Sequence, residues 1–152
     1  VEPYLSVVAQ GCLRYFALSQ GKEINFEFAF EGDFSSSYAS FLSRSPSYFF
    51  IQAIEDVTLV SIHHEHLQEL YARSAFGERM GRLAAEGNYI FREQREIALL
   101  TQTAEERYLQ LMEAYPIYLH RIPQKYLASY LNIKPESLSR IKKRIYERQK
   151  GT

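Results

Sequence analysis

Twenty residues, Gln124 to Lys143 (QKYLASYLNIKPESLSRIKK), limit what this chain can fold into more than any other stretch. Leu127, Ala128 and Leu131 fall on one face of a first short helix. Leu138, Ile141 and Ile145 form the matching face of a second, at the i, i+3, i+7 spacing of a buried stripe. Asn132 stands where the chain must turn sharply, and Asn tolerates left-handed backbone better than most residues. Ile133 is placed to plug the angle between the helices, and Ala128 is small where a steep crossing needs a small residue. Pro135 suits the first turn of the second helix, where an N–H would lack a partner anyway. The pattern predicts a helix-turn-helix whose second helix can lie in the major groove of double-stranded DNA.

Charge agrees with that expectation. From Arg121 to Thr152 there are nine Lys or Arg (Arg121, Lys125, Lys134, Arg140, Lys142, Lys143, Arg144, Arg148, Lys150) against two Glu, a net of +7. The whole chain sums to zero, so residues 1–120 carry −7. A neutral total hides a basic C-terminal module on an acidic body, the asymmetry expected of a segment that meets phosphates.

The rest of the composition bounds the class. A chain of 152 residues suits one or two small domains with a real apolar core. No stretch approaches the roughly 20 apolar residues of a membrane span, and no secretory signal pattern is present. The single Cys12 cannot form an intrachain disulfide, nor alone hold an iron–sulfur cluster or structural zinc. A reducing, cytoplasmic setting without a membrane partner is the expectation. The first residue is Val, in sheet-like sequence, so further residues are expected upstream.

Residues 1–62 read as β. Leu5–Ala9, Cys12–Leu18, Glu23–Phe30, Tyr48–Ile54 and Val57–Ile62 are strand-like, with Gly11, Ser19–Lys22 and Glu55-Asp56 as punctuation. Short strands rich in Phe and Tyr suggest a small antiparallel barrel or jelly roll with those aromatics mainly in its core. Glu31–Tyr38 (EGDFSSSY) has the Gly, acid and hydroxyls that can hold a phosphate or ribose, but reads more simply as a Ser-rich loop capping a short helix, Tyr38–Leu42. His63, His64 and His66 read as a turn entering a helix His66–Arg73 rather than a metal site. No nucleophile, base and orienting group stand in a recognisable arrangement, so no catalytic residue is assigned and no enzyme is expected.

Phe76, Met80, Leu83, Gly87, Ile90, Gln94 and Ile97 follow one another at spacings of 4, 3, 4, 3, 4 and 3. That is a continuous seam over about three heptads, the period at which two helices supercoil. Gly87, beside Ala84 and Ala85, would let a partner backbone come close, and Gln94 could hydrogen-bond its twin. The same helix could also pack on its own β domain. A parallel homodimer is the favoured expectation, because two-fold symmetry supplies a second half-site reader. Thr103-Ala104-Glu105-Glu106 is a capping box opening a helix to about Ala114, with Tyr108, Leu109, Leu111 and Met112 on its apolar side. Tyr115-Pro116 ends that helix, and Ile117–Ile122 leads into the helix-turn-helix. The expected parts are a sensor β-roll over 1–73, a dimerisation helix over 74–100 and a DNA-binding domain over 101–152, hinged at Leu100–Gln102.

GCLRYF (Gly11–Phe16), EGDF (Glu31–Phe34), EERYLQL (Glu105–Leu111) and IPQKYLASYLNIKPESLSRIKKRI (Ile122–Ile145), in that order, resemble the Crp–Fnr superfamily of bacterial transcription regulators, nearest to its Bacteroidetes branch. The resemblance covers essentially the whole chain. It implies an α+β protein: a cyclic-nucleotide-binding-like β-roll lacking about 40–50 residues at its N-terminus, a long dimerisation helix and a C-terminal winged helix-turn-helix. As partners it implies DNA, a second copy, RNA polymerase and an unidentified small-molecule effector.

The resemblance also places a DNA-reading set on the second helix. Glu136 matches an acid that accepts from a cytosine amino group, Ser137 a hydroxyl contacting backbone or base, and Arg140 an Arg that reaches guanine or phosphate. Their one-face spacing opposite Leu138 and Ile141 suits major-groove edges. Gln124, Lys134 and Lys143 complete the candidate set. Pro135 stands where the family often has another Arg, and Lys134 where a Ser or Thr cap is usual. The effector set implied is Gly32, Asp33, Phe34, Ser47 and Tyr48. Here the match is poorer: Asp33 is one methylene shorter than the usual Glu, and Ser47 stands where the phosphate-pairing Arg belongs, with Arg44 three residues away. Cyclic AMP is therefore not expected to bind with regulatory affinity, and no cofactor or metal is assigned. The expected function is a homodimeric, sequence-specific DNA-binding regulator. The alternative is a small-molecule binding module with a basic protein-interaction tail.

Overall fold

The computed structural model describes residues 1–150. The elements run β1 (Tyr4–Gln10), β2 (Leu13–Ser19), β3 (Lys22–Ala29), β4 (Phe34–Ser35), α1 (Tyr38–Ser43), β5 (Phe50–Ala53), β6 (Thr58–His63), α2 (His64–Arg73), α3 (Ala75–Thr101), α4 (Ala104–Ala114), α5 (Pro116–Arg121), α6 (Gln124–Tyr130) and α7 (Pro135–Lys150). They form two compact units. The first holds Val1–Tyr15 and Phe28–Ile97, and the second holds Phe16–Glu27 and the residues from Ala98 onward. Strands β2 and β3 thus begin and end in different units.

The strands make two three-stranded sheets, ordered β4-β1-β6 and β3-β2-β5. In the first, β1 pairs antiparallel with β4 (Ser6↔Ser35) and with β6 (Tyr4↔His63 through Val8↔Leu59), and a bulge follows Val8. Alternation puts Ser6 and Val8 inward, and Ser6 shares a 2.8 Å hydroxyl–hydroxyl hydrogen bond with Ser61 across the strands. Between β2 and β3, Gln20 and Gly21 both have positive φ, the mirror-image turn whose twist matches that of two paired strands. Gly11 is also left-handed, and a Cβ there would strike the Asp56 carbonyl, so that position admits no side chain. Of the first unit's aromatics, Tyr15, Phe28, Phe30 and Phe41 are in the core, as expected for strand aromatics. Phe34, Tyr48 and Phe50 are exposed.

Several expected boundaries move. The helix expected from His66 begins at His64, because the His63 ring accepts from the Glu65 N–H and serves as N-cap. Phe34 and Ser35, expected in a loop, form the short strand β4 by pairing with β1. Strand β5 covers only part of Tyr48–Ile54. The connector Ile117–Ile122 is instead helix α5, started by Pro116 at a position that needs no N–H. No strand follows α7 among the described residues, so the helix-turn-helix carries no wing strands of its own there. In β3 the alternation reverses: Ile24 is exposed while Asn25 is only 2 % exposed.

Helix α3 has two parallel seams, one residue apart. Gly77, Gly81, Ala84, Asn88, Phe91 and Arg95 are buried or half-buried. Gly77 and Gly81 face Leu70 and Tyr71 of α2, and Ser74 caps α3 by accepting from the Gly77 N–H. The expected dimer seam is the other one. Phe76, Met80, Leu83, Gly87, Ile90, Gln94 and Ile97 all lie exposed. Gly81 leaves room for the Tyr71 ring, which would have to shift to admit a Cβ there. Burial, and next the nearby Tyr38 hydroxyl, raise the Tyr71 pKa above the ordinary phenol value. Gly81→Ala gains helix propensity of about 1 kcal/mol but collides with Tyr71. Overpacking of this kind costs about 1–3 kcal/mol, so the variant should melt several degrees below wild type in a thermal unfolding scan.

Candidate nucleic-acid interface

The helix-turn-helix is built by local rules. Helix α6 ends in a left-handed residue, Asn132 (φ 57°). The Asn132 N–H donates to the Ser129 carbonyl at 2.9 Å and the Ile133 N–H to the Ala128 carbonyl at 3.0 Å. This pair of bonds is a Schellman motif, which satisfies two carbonyls that the helix end would leave open. Leu127, Ala128 and Leu131 on α6, with Leu138, Ile141 and Ile145 on α7, are all buried. Ala128 is fully inaccessible, as a steep helix crossing requires.

Helix α4 supports this pair. At the start of α4 the Thr103 hydroxyl accepts from the Glu106 N–H, and the Glu106 carboxylate accepts from the Thr103 N–H at 2.7 Å, completing the capping box. Those bonds lower the Glu106 pKa below its ordinary value, the backbone bond contributing most. The cap's contribution is therefore full above the ordinary Glu range and is lost as pH falls through the lowered pKa. On the apolar side of α4, Tyr108 and Leu111 are buried, and burial raises the Tyr108 pKa. Leu109 is exposed.

Polar contacts that the linear pattern does not announce complete the support. Arg107 reaches two helix ends, donating to the Gln102 carbonyl and, at 2.8 Å, to the Leu131 carbonyl. Glu105 takes both Arg144 (2.7 Å) and Arg148 (2.5 Å) from the far half of α7. Two of the nine basic residues of this segment are thereby turned toward α4. The only hint in the sequence was the acidic pair Glu105-Glu106 ahead of a basic helix.

The outward face of α7 is open. Glu136 and Arg140 are exposed, Ser137 is half-buried, and the Arg140 guanidinium donates to the Ser137 hydroxyl at 3.2 Å. Gln124 and Lys134 are exposed as well, and Gln124 donates to the Ser139 hydroxyl of α7 at 2.7 Å. Lys143 is exposed and lies 3.8 Å from the Glu147 carboxylate, one turn on. Glu136, Ser137 and Arg140 share a face, opposite the buried stripe. An acceptor, a hydroxyl and a forked donor so placed can meet base edges.

The candidate effector residues are used differently. Gly32 (φ 88°) and Asp33 form the turn between β3 and β4, where the Asp33 carboxylate accepts from the Phe30 N–H at 2.9 Å. The Ser47 hydroxyl bonds Ser37 (2.8 Å) and the Phe49 carbonyl (2.8 Å), while Phe34 and Tyr48 are exposed. Arg44 donates to the Glu2 and Phe41 carbonyls. None of the five candidates is a cation, and the neighbouring Arg44 is exposed, with Nη1 donating to those two backbone carbonyls. Strand β2 carries a buried Arg14, whose guanidinium donates to Gln52 of β5.

Neither a protein-family model nor a curated protein matches the sequence. Solved structures do match in fold. FixK2 from Bradyrhizobium japonicum superposes with a TM-score of 0.79 at 17 % identity, over 97 % of this chain and 76 % of that one. A protein from Eubacterium rectale described as a transcriptional regulator of the crp/fnr family gives 0.68 at 22 % identity, over 91 % and 67 %. The c-di-GMP responsive global regulator CLP of Xanthomonas campestris gives 0.65 at 16 % identity, over 97 % and 79 %. The chain has the Crp–Fnr fold: a β-roll like a cyclic-nucleotide-binding domain, a long helix and a C-terminal helix-turn-helix.

Asn132 offers a direct check on the turn. Asn132→Ala forces a Cβ-bearing residue without local hydrogen-bonding ability into left-handed backbone, at about 1 kcal/mol. Asn132→Gly should be neutral or stabilising. Denaturant midpoints for the two variants should fall on opposite sides of, or below and level with, wild type.

Proposed function

We propose that this protein is a sequence-specific DNA-binding transcriptional regulator that acts as a homodimer. One observation carries the reading: α7 presents Glu136 and Arg140 to solvent, with half-buried Ser137 beside them, on the face opposite Leu138, Ile141 and Ile145. Exposed Lys134 and Lys143 flank that face with phosphate-seeking charge. The fold supports the same reading. Dimerisation uses the exposed seam of α3, where Phe76, Met80, Leu83, Ile90 and Ile97 give a two-fold partner five large apolar side chains. RNA polymerase is the further partner through which such a regulator acts.

The test is a DNA-selection experiment on the full-length protein. It should return a palindromic consensus with half-sites about one helical turn apart. Arg140→Gln should weaken binding by roughly 1–3 kcal/mol and relax one base pair of each half-site. No consensus, or an Arg140 variant indistinguishable from wild type, would favour the basic interaction-tail reading instead.

The effector is not cyclic AMP in this reading. The Asp33 carboxylate is held by the Phe30 N–H, and Ser47, which the resemblance puts at the phosphate-pairing position, is a neutral hydroxyl bonded to Ser37. Titration calorimetry with cyclic AMP should give no stoichiometric binding in the micromolar range, and selection should be indifferent to the nucleotide. A micromolar, one-per-chain isotherm would overturn this.

A further inference from the structure

The distal half of the β2–β3 hairpin, Phe16–Glu27, groups with the helices from Ala98 onward. Its most deeply buried residue is polar, Asn25, in a strand whose alternation would otherwise bury Ile24. The Asn25 N–H donates to the Ser129 hydroxyl of α6 at 2.9 Å, and that hydroxyl donates to the Glu23 carbonyl at 3.3 Å. The N–H of one strand residue and the carbonyl two residues earlier point to the same side. A single serine therefore satisfies both groups along the outer edge of β3, which lies at the end of its sheet. An unpaired edge is otherwise a row of open donors and acceptors.

We propose that this hairpin is a built-in part of the DNA-binding module, bracing α6 where the described chain has no wing strands, and that it stays docked when the module is on DNA. Its bonds go to α6, the supporting helix. The reading residues Glu136 and Arg140 stand on α7 and remain exposed with the hairpin in place. Helix α6 is then held from two sides, by the hairpin at Ser129 and by Arg107 at the Leu131 carbonyl. The buried stripe passes that rigidity to α7. The clamp itself rests only on the fold, while its persistence on DNA rests on the proposed function.

Amide hydrogen exchange on the full-length protein separates the two. In the free protein, Ser129→Ala should speed exchange of the Asn25 amide about two- to tenfold, the range for one net hydrogen bond. Ser129→Thr, which keeps the hydroxyl, should restore wild-type exchange. With DNA bound, the Asn25 amide should stay at least as protected as without it, and Ser129→Ala should weaken DNA binding by a similar factor. Unchanged exchange in Ser129→Ala would overturn the clamp, and loss of Asn25 protection on DNA would overturn its persistence. Failure of the wild type to select any DNA would sink the proposed function, while the free-protein exchange still decides the clamp.

Discussion

The left-handed turn at Asn132 is the constraint on which the helix-turn-helix depends. A helix cannot end in a buried place with its carbonyls open, and the Schellman pair at Ser129 and Ala128 closes two of them. That geometry fixes the angle at which α7 leaves α6. The angle in turn decides that Leu138 and Ile141 meet Leu127 and Ala128, while Glu136 and Arg140 point away.

Around that turn, charge is sorted by position. Glu105 draws Arg144 and Arg148 onto α4, at the far half of α7. Lys134, just ahead of α7, and Arg140 in its near half are exposed. Exposed ion pairs of this kind contribute little stability each. Their effect is to place charge, and the residue total of +7 overstates what the outward face of α7 offers.

The long helix shows how packing resolves what periodicity leaves open. Two heptad seams run along α3, offset by one residue, and each could serve a partner or the body. Gly77 and Gly81 admit Leu70 and Tyr71 of α2, which turns one seam inward. The apolar seam from Phe76 to Ile97 is left on the surface. Large exposed apolar side chains in register at that period are costly without a partner, which is why the homodimer reading attaches to this seam.

What the sequence determined by itself was set by near neighbours. The stripe spacing on α6 and α7, the Asn at the turn, Pro at a helix start and the Thr103–Glu106 capping box each follow from contacts within one or two turns of chain. The exposure of Glu136 and Arg140 was legible for the same reason. Tertiary structure alone decided what depends on distant residues. It set the reversal that buries Asn25 instead of Ile24, and the reach of Arg107 to Leu131. It also set the grip of Glu105 on α7. Local period and propensity report one element's own geometry. Which of its faces meets a partner far along the chain is settled only when the two are folded against each other.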